Sequence, residues 1–171
     1  KVKDLDAVAI SKGPGSYTGL RIGVSAAKGL CFALDIPLIS LPTLQVLASA
    51  APDLEGLRIP VMDARRMEVY SAVFDAEGNA IRETRAEVIT GASFSGLRER
   101  GPLHLIGSGA DKLRGVLPAP PFVFHPECQA SAREMGTLSY AKFEKGIFED
   151  TAYFEPYYLK DFIPTQPKTQ N

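Results

Sequence analysis

The strongest structural signal in the chain is the run Gly13-Pro14-Gly15-Ser16-Tyr17-Thr18-Gly19-Leu20-Arg21-Ile22-Gly23-Val24. Its first glycines permit a tight turn, and the hydroxyl of Ser16 or Thr18 suits the cap of a following helix. An apolar stretch, Asp6–Ser11, precedes the run, and apolar residues recur at spacings of three and four over Tyr17–Leu34. These patterns predict a strand, a turn and a helix.

The residues that follow repeat this order. Pro37–Leu41 is a short apolar run typical of a strand, and Pro42 with Thr43 favours a second helix that extends through Ala51. Strand, helix, strand and helix in succession predict an α/β unit with right-handed crossovers. Pro52–Gly56 is typical of a linker.

After the linker the pattern changes to that of strands and hairpins. Arg58–Met62 and Met67–Asp75 are predicted strands, and the turn signal at Glu77–Asn79 predicts an antiparallel hairpin with Ala80–Ile89. Further along we expect a strand at 104–107, a short helix at 110–117, a strand at 121–124, a helix at 130–146 and an extended tail at 155–171. We therefore expect two α/β lobes, the first over residues 1–51 and the second, with the tail, over 57–171.

The amino-acid composition of the chain argues against some classes of function. The 171 residues carry 19 basic and 20 acidic side chains, for a net charge of -1, which argues against avid RNA binding by a basic face. Cys31 falls in the apolar helical pattern, so we expect a buried thiol. With no signal peptide and no apolar run of about 18 residues, we expect a cytoplasmic protein. Because Lys1 is not a Met, we also expect that the natural N-terminus is missing.

The glycine-rich turn has two interpretations. A helix N-terminus after such a loop can receive an anion, but the Lys-Ser/Thr of a phosphate loop and the GxGxxG spacing are both absent. A structural turn formed by Gly13, Pro14 and Gly15 is the favoured interpretation, and phosphate binding is the alternative.

The helix also carries a stripe of small residues at spacing four, Gly19, Gly23 and Ala27. Glycine inside a helix costs about 1 kcal/mol relative to Ala, so another backbone is expected to pack closely against the stripe. That backbone belongs either to the chain's own sheet or to a partner helix.

Catalytic patterns are weak. Neither His104 nor His125 has a histidine three or four residues away, so the helical metal-ligand pair is missing. No Ser-His-Asp or Cys-His arrangement is indicated either.

Two further groups of residues each have more than one interpretation. Asp63, Arg65, Arg66 and Glu68 bind an anion or orient an interdomain contact, or else form a weak ion pair. The aromatic residues Tyr153, Phe154, Tyr157 and Tyr158 anchor the tail or stack on RNA bases.

The run from Gly13 to Leu30 closely resembles the signature of the TsaB (YeaZ) family, which belongs to the actin/sugar-kinase/Hsp70 fold group. Residues 62–70, Met-Asp-Ala-Arg-Arg-Met-Glu-Val-Tyr, look like a second recurrent segment of that family, and Tyr157–Lys160 is similar to its C-terminal pattern. The resemblance implies an RNase H-like two-lobe α/β fold whose first lobe is truncated, because the family begins with a strand hairpin that is absent here.

The resemblance further implies a pseudoenzyme. TsaB-like proteins bind the catalytic paralogue TsaD, an ATPase, TsaE, joins them, and tRNA is contacted only through the complex. The catalytic paralogue carries His-x-x-x-His where this chain reads Ser40–Val46 without histidine. We thus expect no cofactor, no metal and no catalytic residue. A metal-dependent glycopeptidase or a nucleotide hydrolase is the rival enzyme class, and a self-contained RNA-binding protein is the other.

The family's homodimers and its partner contacts use the glycine-rich helix, which is therefore the predicted interface. Replacing Gly23 by Leu is expected to abolish pairing and leave the monomer folded. The predicted interface residues are Tyr17, Gly19, Leu20, Gly23, Val24, Ala27 and Leu30.

Overall fold

The computed structural model describes residues 1–51 and 53–159 of the chain. Within them lie three α-helices and seven strands, which form a two-stranded and a five-stranded sheet. None of the helices in these residues combines the length and the hydropathy that a membrane crossing requires.

The first sheet is the unit that the glycine-rich run predicts. Strand β1 (Val8–Gly13) pairs in parallel with β2 (Leu38–Pro42), and helix α1 (Tyr17–Leu34) connects them. Helix α1 ends at Asp35, which has a left-handed backbone with φ 55°. Helix α2 (Thr43–Ala48) follows directly, three residues shorter than predicted. The predicted order strand, helix, strand, helix is confirmed.

The second sheet has the order β5-β4-β3-β6-β7. Its antiparallel half consists of β3 (Leu57–Asp63), β4 (Glu68–Phe74) and β5 (Ala80–Val88). Its parallel half adds β6 (Leu103–Ile106) and β7 (Phe122–His125) to the other edge of β3. The predicted strands are all present.

The turn between β4 and β5 confirms the predicted hairpin. Asp75 Oδ1 accepts a hydrogen bond of 2.7 Å from the backbone N–H of Asn79, and Gly78 has a positive φ of 86°. This side-chain bond raises the stability of the turn, since an Asp side chain that bonds the backbone favours turn geometry.

Both faces of the second sheet are buried at its central strands. One face packs under the loop and short 3-10 helices that follow β5, around Ile59, Val61, Leu103, Leu105 and Phe122. The other face packs against α2. The helix predicted at 110–117 is only a 3-10 turn, Asp111–Leu113.

The chain then returns to the first sheet. Helix α3 (Ala132–Glu144) packs on β2, where Lys142 Nζ donates a bond of 2.7 Å to the Ser40 carbonyl oxygen. Beyond α3, Glu149 bridges to Leu38 in antiparallel fashion. Helix α3 and Glu149 thus pack against the first sheet, although we predicted residues 57–171 in the second lobe. The last part of the predicted tail, residues 160–171, lies outside the described residues.

Candidate partner-binding face of helix α1

The turn before α1 is fixed by close backbone packing. Gly13 has φ +114°, and a Cβ at this position would lie 2.6 Å from the Tyr157 carbonyl oxygen, so only glycine fits. Ser16 is the helix cap, because its Oγ accepts a bond of 3.3 Å from the N–H of Gly19. The side chain of Leu20 covers Gly13 and Gly15. These contacts give the turn a structural role and direct α1 along the sheet.

One face of α1 points into the chain's own core. Val24 and Ala27 are 4% and 5% exposed, and Ala27 packs with Cys31 and Leu38. A Cβ at Gly23 would lie 3.3 Å from Ile10 Cδ1 of β1. For these three positions, packing against the chain's own sheet replaces the predicted partner contact. The reason is that β1 approaches α1 along its small residues.

Cys31 itself is the buried thiol that we predicted. Burial raises its pKa, so the neutral thiol is favoured. Such a cysteine acts as a small apolar core residue.

The opposite face of α1 is exposed and largely uncharged. Ile22 is 66% and Phe32 88% exposed, and Leu30 is 43% exposed. Small residues fill the space between these side chains. The outward face, as we call this surface, consists of Thr18, Gly19, Ile22, Ser25, Ala26, Gly29, Leu30, Phe32 and Ala33. Of the predicted interface residues, Gly19 and Leu30 belong to it, and Tyr17 and Leu20 are half-buried at its first turn.

Both cations of α1 lie toward the C-terminal segment. Lys28 Nζ donates bonds of 3.0 Å to the carbonyl oxygens of Ala152 and Phe154. The guanidinium of Arg21 lies 5.5 Å above the ring of Tyr17, which in turn stacks on a tail ring with a centroid separation of 4.9 Å. The outward face, as defined above, therefore contains no charged side chain.

The aromatic residues near the C-terminus anchor that segment to the first lobe. Phe154 packs against the cluster of Ala27, Cys31 and Leu38, and Tyr158 provides the ring that stacks on Tyr17. Tyr153 is different, since it is exposed. Phe154 and Tyr158 therefore anchor this segment, which is one of the two roles considered for the aromatic residues.

Asp63 pairs with a residue that the sequence did not single out. Its Oδ1 accepts a bond of 2.8 Å from Lys112 Nζ and one of 2.7 Å from the backbone N–H of Arg65. The Lys112 bond and the Arg65 amide lower the pKa of Asp63. An ion pair, one of the alternatives for residues 63–68, is thus formed between Asp63 and Lys112.

The two histidines, which sequence reasoning treated as separate, form a pair. His104 Nδ1 and His125 Nε2 are 3.0 Å apart on neighbouring strands, and His104 Nε2 lies 2.8 Å from the Glu55 carbonyl oxygen. Since a carbonyl only accepts, His104 Nε2 carries the proton and its Nδ1 accepts from His125. Burial is the main cause of the lowered pKa of His104, and the nearby charges of His125 and Arg58 lower it further. A sequence separation of 21 residues gave no local signal for this contact.

The described residues assemble no candidate metal site. Within residues 1–51 and 53–159, no three His, Cys, Asp or Glu side chains are grouped so that they could hold a metal ion.

Known structures define the fold class. A crystal structure from Pseudomonas aeruginosa, described as a protein with similarity to peptidase YeaZ, superposes with a TM-score of 0.82 at 22% identity and covers 94% of this chain and 76% of that chain. A second structure, YeaZ from Pseudomonas aeruginosa, gives a TM-score of 0.78. The predicted two-lobe α/β architecture of the actin/sugar-kinase/Hsp70 group is confirmed.

Sequence comparison defines the family. The model of the family TsaD, tRNA N6-adenosine threonylcarbamoyltransferase, matches residues 1–166, so the chain belongs to this family. Curated relatives include the tRNA threonylcarbamoyladenosine biosynthesis protein TsaB of Bacillus subtilis, 41% identical over 81 residues. TsaB of Escherichia coli is 39% identical over 80 residues. Each match covers about half of this chain, 47% and 46%, but only 35% of the relative's own length. The resemblance to TsaB and YeaZ is confirmed.

Proposed function

We propose that this chain is a non-catalytic subunit that binds and stabilises a TsaD-type catalytic subunit during threonylcarbamoyl transfer to tRNA. The observation that carries the proposal is the outward face of α1, with Ile22 and Phe32 at 66% and 88% exposure. Its TsaB relatives are named tRNA threonylcarbamoyladenosine biosynthesis proteins, which supports a role in this modification.

The chemistry of the outward face supports a helix as its partner. Small residues such as Ala26 and Gly29 allow a second helix to approach at or below the usual axis separation of about 8–10 Å. Burying a large apolar side chain contributes about 1.5–3 kcal/mol, so Ile22 and Phe32 are suited to anchor such a contact. The same reasoning supports a homodimer through this face when the catalytic subunit is absent.

The non-catalytic part of the proposal rests on ligand chemistry. The segment Ser40–Val46, where the resemblance places the paralogue's His-x-x-x-His, forms the end of β2 and the start of α2 and contains no histidine. Of the chain's two histidines, one bonds the other and the Glu55 carbonyl. A TsaE-type ATPase would join the assembly, and tRNA would contact this chain only indirectly.

The test is a binding measurement on Ile22→Glu. Calorimetric titration of a purified TsaD-type subunit should show at least about tenfold weaker binding, a loss of about 1.4 kcal/mol, because a carboxylate would be buried against apolar groups. The matched control is Thr137→Glu, which adds the same charge to the exposed surface of α3. Wild-type affinity in the Ile22 variant would exclude the outward face as the interface.

Catalysis by this chain is the competing function, because the matching family is described as a transferase. The isolated chain should show no threonylcarbamoyl transfer to tRNA when the activated donor is supplied without a TsaD-type subunit. Turnover by the chain alone would establish it as an enzyme.

A further inference from the structure

The turn between β3 and β4 has an unusual backbone. Arg65 and Arg66 have φ values of 71° and 50°, in the left-handed region. Residues 65–67 lie between Ala64 and Glu68, whose backbones are hydrogen-bonded, and the left-handed conformation is adopted most readily by glycine and, among other residues, by Asn and Asp. Two consecutive arginines here are locally unfavourable, and such strain persists only when the surroundings hold it in place.

Lys112 holds this turn in place. Its Nζ donates to three oxygens, Asp63 Oδ1 at 2.8 Å, the Arg66 carbonyl at 3.1 Å and the Glu68 carbonyl at 2.6 Å. Asp63 Oδ1 also accepts the N–H of Arg65 at 2.7 Å. A lysine side chain that is only 20% exposed is thus used to fix the backbone of an exposed turn.

The arginine side chains at this turn are exposed. Among residues 1–51 and 53–159, neither the Arg65 nor the Arg66 guanidinium has a hydrogen bond or an ion pair. Arg82 provides a contrast, since it bonds Glu87 and Ser71 within the chain. The fold therefore presents two exposed guanidinium groups on a turn whose backbone is bonded to Lys112.

We propose that Arg65 and Arg66 form an anchor for carboxylate groups on the surface of a protein partner. The inference rests on the proposed function, because it adds a second contact to the TsaD-type subunit beyond the outward face of α1. A guanidinium binds a carboxylate through two parallel hydrogen bonds, which gives geometric specificity as well as attraction. Because Lys112 already holds the backbone of the turn, binding has to order only the arginine side chains, which lowers its entropic cost.

A protein surface fits this turn better than a nucleic acid backbone does. Met67, next to the arginines, is 46% exposed and adds an apolar contact. The net charge of the chain is -1, which does not favour a polyanion. Arginine and methionine are both enriched at protein interfaces.

The test exchanges the two arginines for the residues that the turn geometry prefers. R65N/R66G should melt at or above the wild-type temperature, because the backbone preference is satisfied. Its affinity for the TsaD-type subunit should fall about tenfold at an ionic strength of about 0.1 M, and the difference should shrink at about 1 M, where the Debye length is about 3 Å. R65K/R66K keeps the charge without the planar fork, so intermediate affinity is expected.

The matched control is R133Q/K145Q, which removes two positive charges from the exposed surface around α3 and should bind like the wild type. Wild-type affinity in R65N/R66G, with Ile22→Glu binding weakly, overturns the arginine anchor and leaves the proposed function standing. A loss of tRNA retention by R65N/R66G without a loss of protein binding also overturns it. If the wild-type chain does not bind the TsaD-type subunit at all, both proposals fail.

Discussion

Gly23 and Gly29 lie inside the same helix, α1, but face opposite environments. A Cβ at Gly23 would lie 3.3 Å from Ile10 Cδ1, whereas a Cβ at Gly29 would have no neighbour within 4 Å. Replacing each glycine in turn by leucine therefore tests the inward and the outward face of the helix with the same kind of substitution.

The two substitutions are expected to change the free energy of unfolding in opposite directions. Leucine in place of glycine inside a helix gains about 0.8 kcal/mol, and Gly29→Leu keeps this gain because its side chain enters open space. Gly23→Leu has the same gain but forces extra methylenes against Ile10, at a cost of about 1–3 kcal/mol. The net expectation is a loss of up to about 2 kcal/mol, which lowers the melting temperature by roughly 2–4 °C per kcal/mol in a chain of this size.

Urea unfolding followed by circular dichroism measures both variants, and calorimetry with the TsaD-type subunit measures their binding. Gly29→Leu should remain folded and bind weakly, because it fills a space on the outward face. A Gly23→Leu variant as stable as Gly29→Leu would refute the inward orientation of Gly23. Undiminished binding by Gly29→Leu would refute the outward face as the interface.

Two further predictions concern stability alone. Because burial lowers the pKa of His104 below its ordinary 6.5, the unfolded chain takes up a proton there before the folded chain does. Its contribution is complete above about pH 6.5 and is lost as the pH falls below that value. Urea unfolding at about pH 8 and about pH 5.5 measures how much free energy of unfolding is lost on acidification. This loss should be smaller for His104→Gln than for the wild type, and an equal loss in the two proteins would contradict the prediction. Ser131→Ala removes the N-cap of α3, where Ser131 Oγ accepts from the N–H of Arg133 at 3.2 Å. It should cost about 1 kcal/mol, and unchanged thermal unfolding would show that the cap is not needed.

Local signals predicted most of the secondary structure. The limits of α1, Tyr17–Leu34, follow from the glycine turn, the Ser16 cap and the apolar period, all of which act within a few residues. The hairpin after β4 follows from Asp75 and Gly78 in the same way. Features that depend on distant contacts were missed, namely the His104–His125 pair and the return of α3 to the first sheet.

The orientation of α1 shows why sequence alone did not separate the buried face of this helix from its exposed face. Small residues lie on both of its faces. Gly23 and Ala27 lie on the face toward the chain's own sheet, and Ala26 and Gly29 lie on the outward face. Hydrophobic periodicity usually identifies the buried face, but Ile22 and Phe32 place large apolar side chains on the exposed one. The position of β1 against Gly23 and the burial of Ala27 distinguish the two faces.

The outward face has the composition of an interface centre and not of an ordinary solvent-facing helix surface. An exposed helix face normally carries charged and polar side chains, yet the 18 residues of α1 include only two charged ones, Arg21 and Lys28. Both of these lie on the side of the C-terminal segment, where Lys28 bonds backbone carbonyls. Single exposed apolar residues need no explanation, but Ile22 and Phe32 are joined by a continuous surface of small uncharged residues. Depletion of charge with retained apolar area is the compositional signal of the centre of an interface, and a charge introduced at Ile22 is therefore the substitution that most directly opposes binding there.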